Sequence, residues 1–136
     1  MSAVDGHVND LYRFGVDTGR AFQVQDDVLD LVGSSEQLGK QRGSDLLEGK
    51  RTVITMHARE QGVDVESLVP ADPESVTEED IDTAVRTLEE AGSIDYARRL
   101  ASDLVEDGKD HLDALPDNEA RDLLSDLADF LIEREY

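Results

Sequence analysis

Apolar residues recur at steps of three and four in every long segment of this 136-residue chain. That period matches the 3.6 residues of an α-helical turn, whereas a half-buried strand would alternate apolar and polar residues. No long segment shows strand alternation, so the sequence predicts an all-α fold. The clearest helical run contains Ala97, Leu100, Ala101, Leu104 and Val105.

Start and stop signals divide the chain into five long predicted helices. The clearest start is Thr77-Glu78-Glu79-Asp80, which has the pattern of a capping box, in which two side chains bond each other's backbone amides. The segment from Val63 to Ser75 contains Pro70 and Pro73 and is predicted to be a connecting loop with room for one helical turn. The helices are predicted to begin near residues 5, 52, 78, 93 and 117, and the first four to end near residues 31, 61, 91 and 115.

Small and aromatic residues in the first predicted helix give two expectations about packing. Gly15 and Gly19 are four residues apart, a spacing that favours close contact between helices. Tyr12 and Phe14 are predicted to belong to the core. His57, on the second predicted helix, is expected to be a packed or surface histidine rather than a catalytic base.

An acidic cluster interrupts the apolar surface near the end of the first predicted helix. At 100° per residue, Gln23, Asp26 and Asp30 form one polar stripe, and Asp27 is turned to its flank. Carboxylates this close repel each other unless a cation lies among them, and oxygen ligands suit Mg²⁺ completed by water and phosphate oxygens. The stripe therefore predicts a magnesium site for a phosphorylated ligand. The surrounding residues are Ala21, Phe22, Val24, Val28, Leu29, Leu31 and Val32.

A basic segment follows the acidic cluster. It holds two of the three lysines of a chain whose formal net charge is −20, and three glycines that let the backbone approach a ligand closely. Carboxylates that hold metal and cations that hold an anion together predict a diphosphate bridged by Mg²⁺. The basic residues are Lys40, Arg42, Lys50 and Arg51, and the glycines are Gly39, Gly43 and Gly49.

These residues, in this order, resemble the second aspartate-rich region of the trans-isoprenyl diphosphate synthases, the family of the farnesyl and geranylgeranyl diphosphate synthases. A lone DDxxD pattern is weak, because acidic triplets are common on solvated helices, but the ordered set is specific. The end of the chain is also similar to the C-terminal helix of that family. The matching segments are residues 22–30, 38–40, 43–46, 48–52 and 127–134.

The resemblance implies a fold, a reaction and a metal site. Residues 1–136 would be a single partial domain, the C-terminal part of the isoprenoid-synthase helical bundle, carrying the second aspartate-rich motif. The family condenses isopentenyl diphosphate with an allylic diphosphate in isoprenoid biosynthesis, with Mg²⁺ as cofactor. Asp26 is implied to be a direct Mg²⁺ ligand, and Asp27 and Asp30 are implied to be direct or water-mediated supporters.

The resemblance also implies substrate contacts. Lys40 and Lys50 would bind the allylic diphosphate, with Lys40 taking part in catalysis. Gln23 would contact the diphosphate as well, and Phe22 would pack against the isoprenoid substrates. Weaker candidates for anion contacts are Arg51 and Arg134.

The family's first aspartate-rich motif has no counterpart in this sequence, which contains a single DDxxD. With only one of the two aspartate-rich motifs, the negative charge on the other face of a bound diphosphate would not be neutralised. The isolated chain is therefore expected to show little or no turnover. An N-terminal half or a homodimer partner is a possible complement. The alternatives are a non-catalytic homologue that regulates a synthase, a terpene cyclase, and an unrelated acidic helical interaction module.

Acidic residues outnumber basic ones by 33 to 13. Nucleic-acid binding is disfavoured, because it needs a basic surface. An acidic composition with few lysines resembles that of proteins from salt-in halophilic archaea, where salt screens the self-repulsion and low salt causes unfolding. The chain has no cysteine, no signal-peptide pattern and no apolar run approaching the roughly 18 residues of a membrane span, so a cytoplasmic location is expected.

Overall fold

The computed structural model describes residues 3–33 and 42–133, and the side chains of residues 7–33 and 42–130 within them. These ranges contain helices and no strand, which confirms the all-α prediction. Two short 3₁₀ turns, Val65–Ser67 and Pro73–Ser75, lie in the segment that was predicted to be a loop. The helices are α1 (Ala3–Val32), α2 (Ser44–Leu47), α3 (Val53–Glu60), α4 (Glu78–Glu90), α5 (Ser93–Asp113) and α6 (Glu119–Glu133).

The helices form two compact units. The described part of the first unit comprises residues 3–23 and 99–133, and that of the second comprises residues 24–33 and 42–98. The first unit thus contains the beginning of α1, the end of α5 and α6. The second contains the acidic end of α1, the short α2, α3, α4 and the beginning of α5.

In the first unit, α1 and α5 are in close contact at Gly108. A methyl group at this position would lie 3.3 Å from Thr18 Cγ2 and 3.5 Å from the Phe14 carbonyl oxygen, so the missing side chain allows the contact. The prediction that Gly15 and Gly19 mediate close packing is wrong within the described residues, where no atom beyond the adjoining backbone of α1 lies within 4 Å of a Cβ built on either. The tight contact uses a glycine of α5 instead.

The prediction that both Tyr12 and Phe14 are core residues is half correct. Phe14 is 6% exposed, whereas Tyr12 is 69% exposed. Two residues apart on a helix means about 200° of rotation, so the two rings leave α1 on nearly opposite sides. A helix that is covered on one side can bury only one of them.

Polar contacts attach α6 to α5 in the first unit. Lys109 Nζ donates to the Asp129 carboxylate at 2.9 and 3.1 Å, and this hydrogen bond raises the pKa of Lys109. The predicted start of α6 at Asp117 is one residue early, because the Asn118 side chain accepts from the backbone amide of Arg121 at 3.0 Å. Asparagine at this position satisfies an amide that has no partner within the helix.

The second unit is built on two capped helices. The predicted capping box of α4 is confirmed, with Thr77 and Asp80 bonding each other's backbone amides at 2.9 and 3.1 Å. Thr52 and Thr55 form a second capping box at the start of α3. These starts orient the apolar faces of the helices toward a shared core, which contains Ile54, Ala58, Ile81, Ala84, Leu88, Ile94 and Ala97.

His57 joins α3 to the start of α5 within the second unit. Its Nδ1 lies 2.8 Å from Ser93 Oγ, and its ring stacks on Tyr96 with centroids 4.4 Å apart. Ser93 is fully buried, so this hydrogen bond satisfies a hydroxyl that water does not reach. Of the two alternatives predicted for His57, a packed or a surface histidine, the contacts agree with the packed one.

Candidate functional site

The three aspartates lie on the last two turns of α1, in the second unit. Because α1 is continuous through this stretch, Asp26 and Asp30 are one turn apart on the same face, as the sequence predicts. Their burial differs: Asp26 is partly exposed, whereas Asp27 is 8% and Asp30 is 2% exposed. The three carboxylates therefore have different environments, although the sequence pattern groups them together.

Asp30 anchors the start of α2. Its Oδ1 accepts from the Ser44 hydroxyl at 3.0 Å, and its Oδ2 accepts from the Asp45 backbone amide at 3.2 Å. The residue that precedes α2, Gly43, has no side chain to cap the helix, so a carboxylate from α1 bonds its first-turn amide. Hydrogen bonds to an ionised carboxylate are among the stronger ones in proteins, about 1.5–3 kcal/mol each.

Asp27, Asp30 and Asp45 line a small cavity in the second unit. Its volume of about 10 Å³ is comparable to the space that one water molecule needs. Neither a hydrated Mg²⁺ nor a diphosphate fits in this space. Asp26 does not line it and keeps part of its surface exposed, which makes Asp26 the aspartate best placed for a ligand from outside.

Lys50 lies at the end of the turn that α2 begins. Its side chain is 55% exposed and its Nζ is 3.7 Å from Asp45 Oδ1, while its backbone amide donates to the Asp45 carbonyl at 2.9 Å. Asp30 bonds Asp45, and Asp45 is bonded to Lys50. The Asp30 carboxylate, the α2 turn and Lys50 therefore form one connected group. Lys50 also lines a cleft of about 270 Å³ with Thr55 and Arg59.

The other predicted site residues fall in three places. Gln23 and Phe22 belong to the first unit, where Gln23 is exposed and Phe22 lines a shallow groove of about 320 Å³ beside Gly19. Arg51 is exposed and lies just before α3. Lys40 and Arg134 lie outside the described residues, so their predicted contacts remain predictions.

Among the side chains of residues 7–33 and 42–130, no three from histidine, aspartate or glutamate converge in a way that would hold a metal ion. A magnesium site does not require such a cluster, because Mg²⁺ usually takes one or two protein carboxylates and completes its shell with water and phosphate oxygens. The partly exposed Asp26 fits that donor set. No helix in the described part of the chain is long and apolar enough to cross a membrane.

Comparison with known proteins identifies the family. The polyprenyl synthetase family matches residues 1–88 of the chain. The chain belongs to the polyprenyl synthetase family. The geranylfarnesyl diphosphate synthase of Natronomonas pharaonis is 62% identical over 136 residues, which are 100% of this chain and 39% of that relative. Membership confirms the resemblance drawn from the sequence and excludes the unrelated interaction module.

Solved structures of polyprenyl synthetases have the same fold over the matched region. The geranylgeranyl pyrophosphate synthetase of Pyrococcus horikoshii Ot3 aligns with a TM-score of 0.83 and 36% identity, over 96% of this chain and 40% of that one. The Corynebacterium glutamicum geranylgeranyl pyrophosphate synthase, solved with isoprenyl diphosphate and magnesium, aligns with a TM-score of 0.79 and 31% identity, over 94% and 38%. The chain thus spans about two-fifths of the length of the relatives it matches.

Proposed function

We propose that this chain forms the C-terminal, diphosphate-binding part of an isoprenyl diphosphate synthase, a prenyltransferase that joins isopentenyl diphosphate to an allylic diphosphate. Family membership and the ordered motif support the proposal. The observation that carries it is the connected group in which Asp30 bonds Ser44 and Asp45, and Asp45 lies beside Lys50. A carboxylate-bearing turn and a lysine-bearing loop are joined within one unit, as a magnesium-bridged diphosphate requires.

Each of the site residues predicted from the sequence has a separate role in this proposal. Asp26 holds Mg²⁺ from its partly exposed position, and Asp27 and Asp30 support it from the buried side. Lys50 and Lys40 attract the allylic diphosphate, and Gln23 contacts it. Arg51 and Arg134 remain further candidates for anion contacts. The C. glutamicum relative was solved with isoprenyl diphosphate and magnesium, and these two ligands suit this set of donors.

The proposed reaction begins with departure of the allylic diphosphate. Bound magnesium supplies electrostatic stabilisation of the charge on the departing group, and the lysines add to it without a proton transfer. The isopentenyl double bond attacks the allylic cation that remains, and loss of a proton completes the new alkene. Apolar surface, to which Phe22 contributes, keeps water away from the cation.

Calorimetry with inorganic pyrophosphate tests the proposal. The 136-residue chain, titrated in molar KCl, is expected to bind pyrophosphate when Mg²⁺ is present and to show no binding heat without it. A regulatory homologue without a functional diphosphate site would give no magnesium-dependent heat. Absence of that heat would overturn the proposed function.

The first unit exposes two apolar stripes. Because the relatives are about two and a half times as long as this chain, we infer that the stripes bind the N-terminal part of a complete synthase. Leu127 is 49% exposed and Phe130 is 63% exposed. Exposure of apolar surface to water is unfavourable by about 25 cal/mol per Å². The stripes are Val8, Leu11, Tyr12 and Val16 on α1, and Leu123, Leu127 and Phe130 on α6.

Reconstitution is expected to produce activity that the isolated chain lacks. Mixing the chain with the N-terminal part of the N. pharaonis synthase should allow incorporation of labelled isopentenyl diphosphate, because the mixture then contains the whole family sequence. The double substitution Leu127→Asp and Phe130→Asp should reduce assembly at least about tenfold, whereas Met56→Asp, at an exposed residue of the second unit, should not. Turnover by the chain alone would contradict this prediction, and assembly without turnover would favour the non-catalytic homologue.

We also propose that the protein works in a concentrated-salt cytosol. The formal charge of −20 makes the folded chain repel itself, and the range of this repulsion falls from about 10 Å at 0.1 M salt to about 3 Å at 1 M. Transfer from molar KCl to about 0.1 M should lower the free energy of unfolding by at least about 1 kcal/mol, roughly 3–4 °C in melting temperature. Thermal unfolding followed by circular dichroism measures the change, with sucrose as a control that does not screen charge. An unchanged melting temperature would count against a halophilic origin.

A further inference from the structure

Arg42 joins the end of α1 to the beginning of α4. Its Nε donates to the Leu31 carbonyl oxygen at 2.5 Å, and its Nη1 donates to Asp82 Oδ1 at 2.6 Å. The same nitrogen lies 3.5 Å from Glu78 Oε2. The side chain is only 15% exposed, although both acidic partners are largely exposed. The sequence grouped Arg42 with the cations of a diphosphate site, whereas the structure places it among protein groups.

Arg42 helps to cap the C-terminal end of α1. The last carbonyl groups of a helix have no partner within the helix. Here the Asp30 carbonyl accepts from the Gly43 amide at 2.8 Å and the Leu31 carbonyl accepts from Arg42, so two neighbouring residues cap the same turn. That turn also carries the Asp30 carboxylate, which bonds the start of α2.

The other end of the Arg42 contact lies on the first two turns of α4. Glu78 and Asp82 are one turn apart, and a guanidinium group with several donors in a fixed plane can reach the Leu31 carbonyl and an acid of α4 together. A lysine ammonium lacks this fixed fork of donors, so it does not reproduce the geometry of both contacts. Arg42 stands at the start of residues 42–50, so its anchoring restrains the described segment that leads to Lys50.

We propose that Arg42 is a positioning residue, which sets the affinity of the diphosphate site by fixing the segment of residues 42–50, which ends at Lys50, between the end of α1 and the start of α4. The inference rests on the proposed function and adds a residue to it. Arg42 acts through the Leu31 carbonyl and Asp82, and through them on the placement of Asp45 and Lys50. A direct role of Arg42 in binding the anion is the competing explanation.

Substitution of Asp82 separates the two explanations by the sign of its effect. Asp82→Asn leaves the charge of Arg42 in place but weakens its anchor. If Arg42 positions the segment, magnesium-dependent binding of inorganic pyrophosphate weakens by about threefold; if Arg42 binds the anion directly, removal of a competing carboxylate strengthens binding. Arg42→Gln is expected to weaken pyrophosphate binding about tenfold. Arg42→Lys is expected to retain an affinity between that of Arg42→Gln and that of the unaltered chain.

The double variant and a matched control complete the test. Because Arg42 and Asp82 act through one contact, Arg42→Gln with Asp82→Asn should be no weaker than Arg42→Gln alone. Arg86→Gln removes an exposed positive charge from α4, the helix that carries Asp82, and should change the affinity for pyrophosphate less than about twofold. All variants are compared well below their melting temperatures, with hydrogen exchange of residues 42–50 expected to rise in the Arg42 and Asp82 variants only.

The outcomes distinguish this inference from the proposed function. No magnesium-dependent binding by the unaltered chain would overturn both. Binding by the unaltered chain that Arg42→Gln leaves unchanged, or that Asp82→Asn strengthens, would overturn the positioning role alone. Additive losses in the double variant would also overturn it, because they would mean that the two residues act separately.

Discussion

Replacing Asp26 with alanine is expected to weaken magnesium-dependent pyrophosphate binding by about a hundredfold or more, equivalent to about 2.7 kcal/mol. The reason is the difference in environment among the three aspartates. Asp27 and Asp30 line a cavity the size of one water molecule, and both oxygens of Asp30 accept hydrogen bonds from the α2 turn. Asp26 is the partly exposed member of the set, so its loss removes the carboxylate that an external ion can reach. Isothermal titration calorimetry measures the effect.

Two further variants make the Asp26 result specific. Asp103→Ala removes the same charge from an exposed position on α5 and should leave pyrophosphate binding unchanged. Asp30→Asn should lower the melting temperature as well as the affinity, and should lower the melting temperature more than Asp26→Ala does, because it weakens the anchor of α2. Equal binding heats with and without the Asp26 substitution would refute the assignment of Asp26 as the magnesium ligand.

Features that depend on residues close together in sequence could be predicted. The capping box of Thr77 and Asp80 spans four residues, and the structure contains it. The helical course of α1 through the acidic stretch followed from its apolar period. The exposure of Tyr12 did not follow from that period, because the pattern marks several apolar faces and tertiary packing decides which of them is covered.

The roles within the candidate site were less accessible to sequence reasoning. The motif identifies Asp26, Asp27 and Asp30 as a set, but their burial depends on where α2 folds back. The bond between Asp30 and Ser44 connects residues 14 apart, and that between Arg42 and Asp82 connects residues 40 apart. No local pattern specifies such pairs. One signal was present in the sequence: a glycine before Ser44 and Asp45 leaves the α2 turn without a side-chain cap from the preceding residue.

Gly43→Ala is expected to lower the free energy of unfolding by about 2–3 kcal/mol, for two reasons that add. Gly43 has a φ of 79°, in the left-handed region that costs residues with a side chain about 1–2 kcal/mol. The new Cβ would also lie 3.0 Å from Ile81 Cδ1, and Ile81 is 1% exposed in the core of the second unit, so it has little room to move. Urea denaturation of the variant, in the salt that keeps the unaltered chain folded, measures the loss.

Gly49 supplies the matched control for the contribution of the Ile81 contact. Its φ of 69° is similar, but no atom lies within 4 Å of a Cβ built there, so Gly49→Ala should cost only the backbone part, about 1–2 kcal/mol. Ile81→Val removes the Cδ1 atom that meets the new methyl group, and Gly43→Ala should therefore cost less in the Ile81→Val background than in the unaltered chain. Equal costs at Gly43 and Gly49, with no relief from Ile81→Val, would show that α4 does not pack on residue 43. The anchoring of Arg42 on Asp82 would then lose its structural basis as well, because both contacts require the same placement of α4.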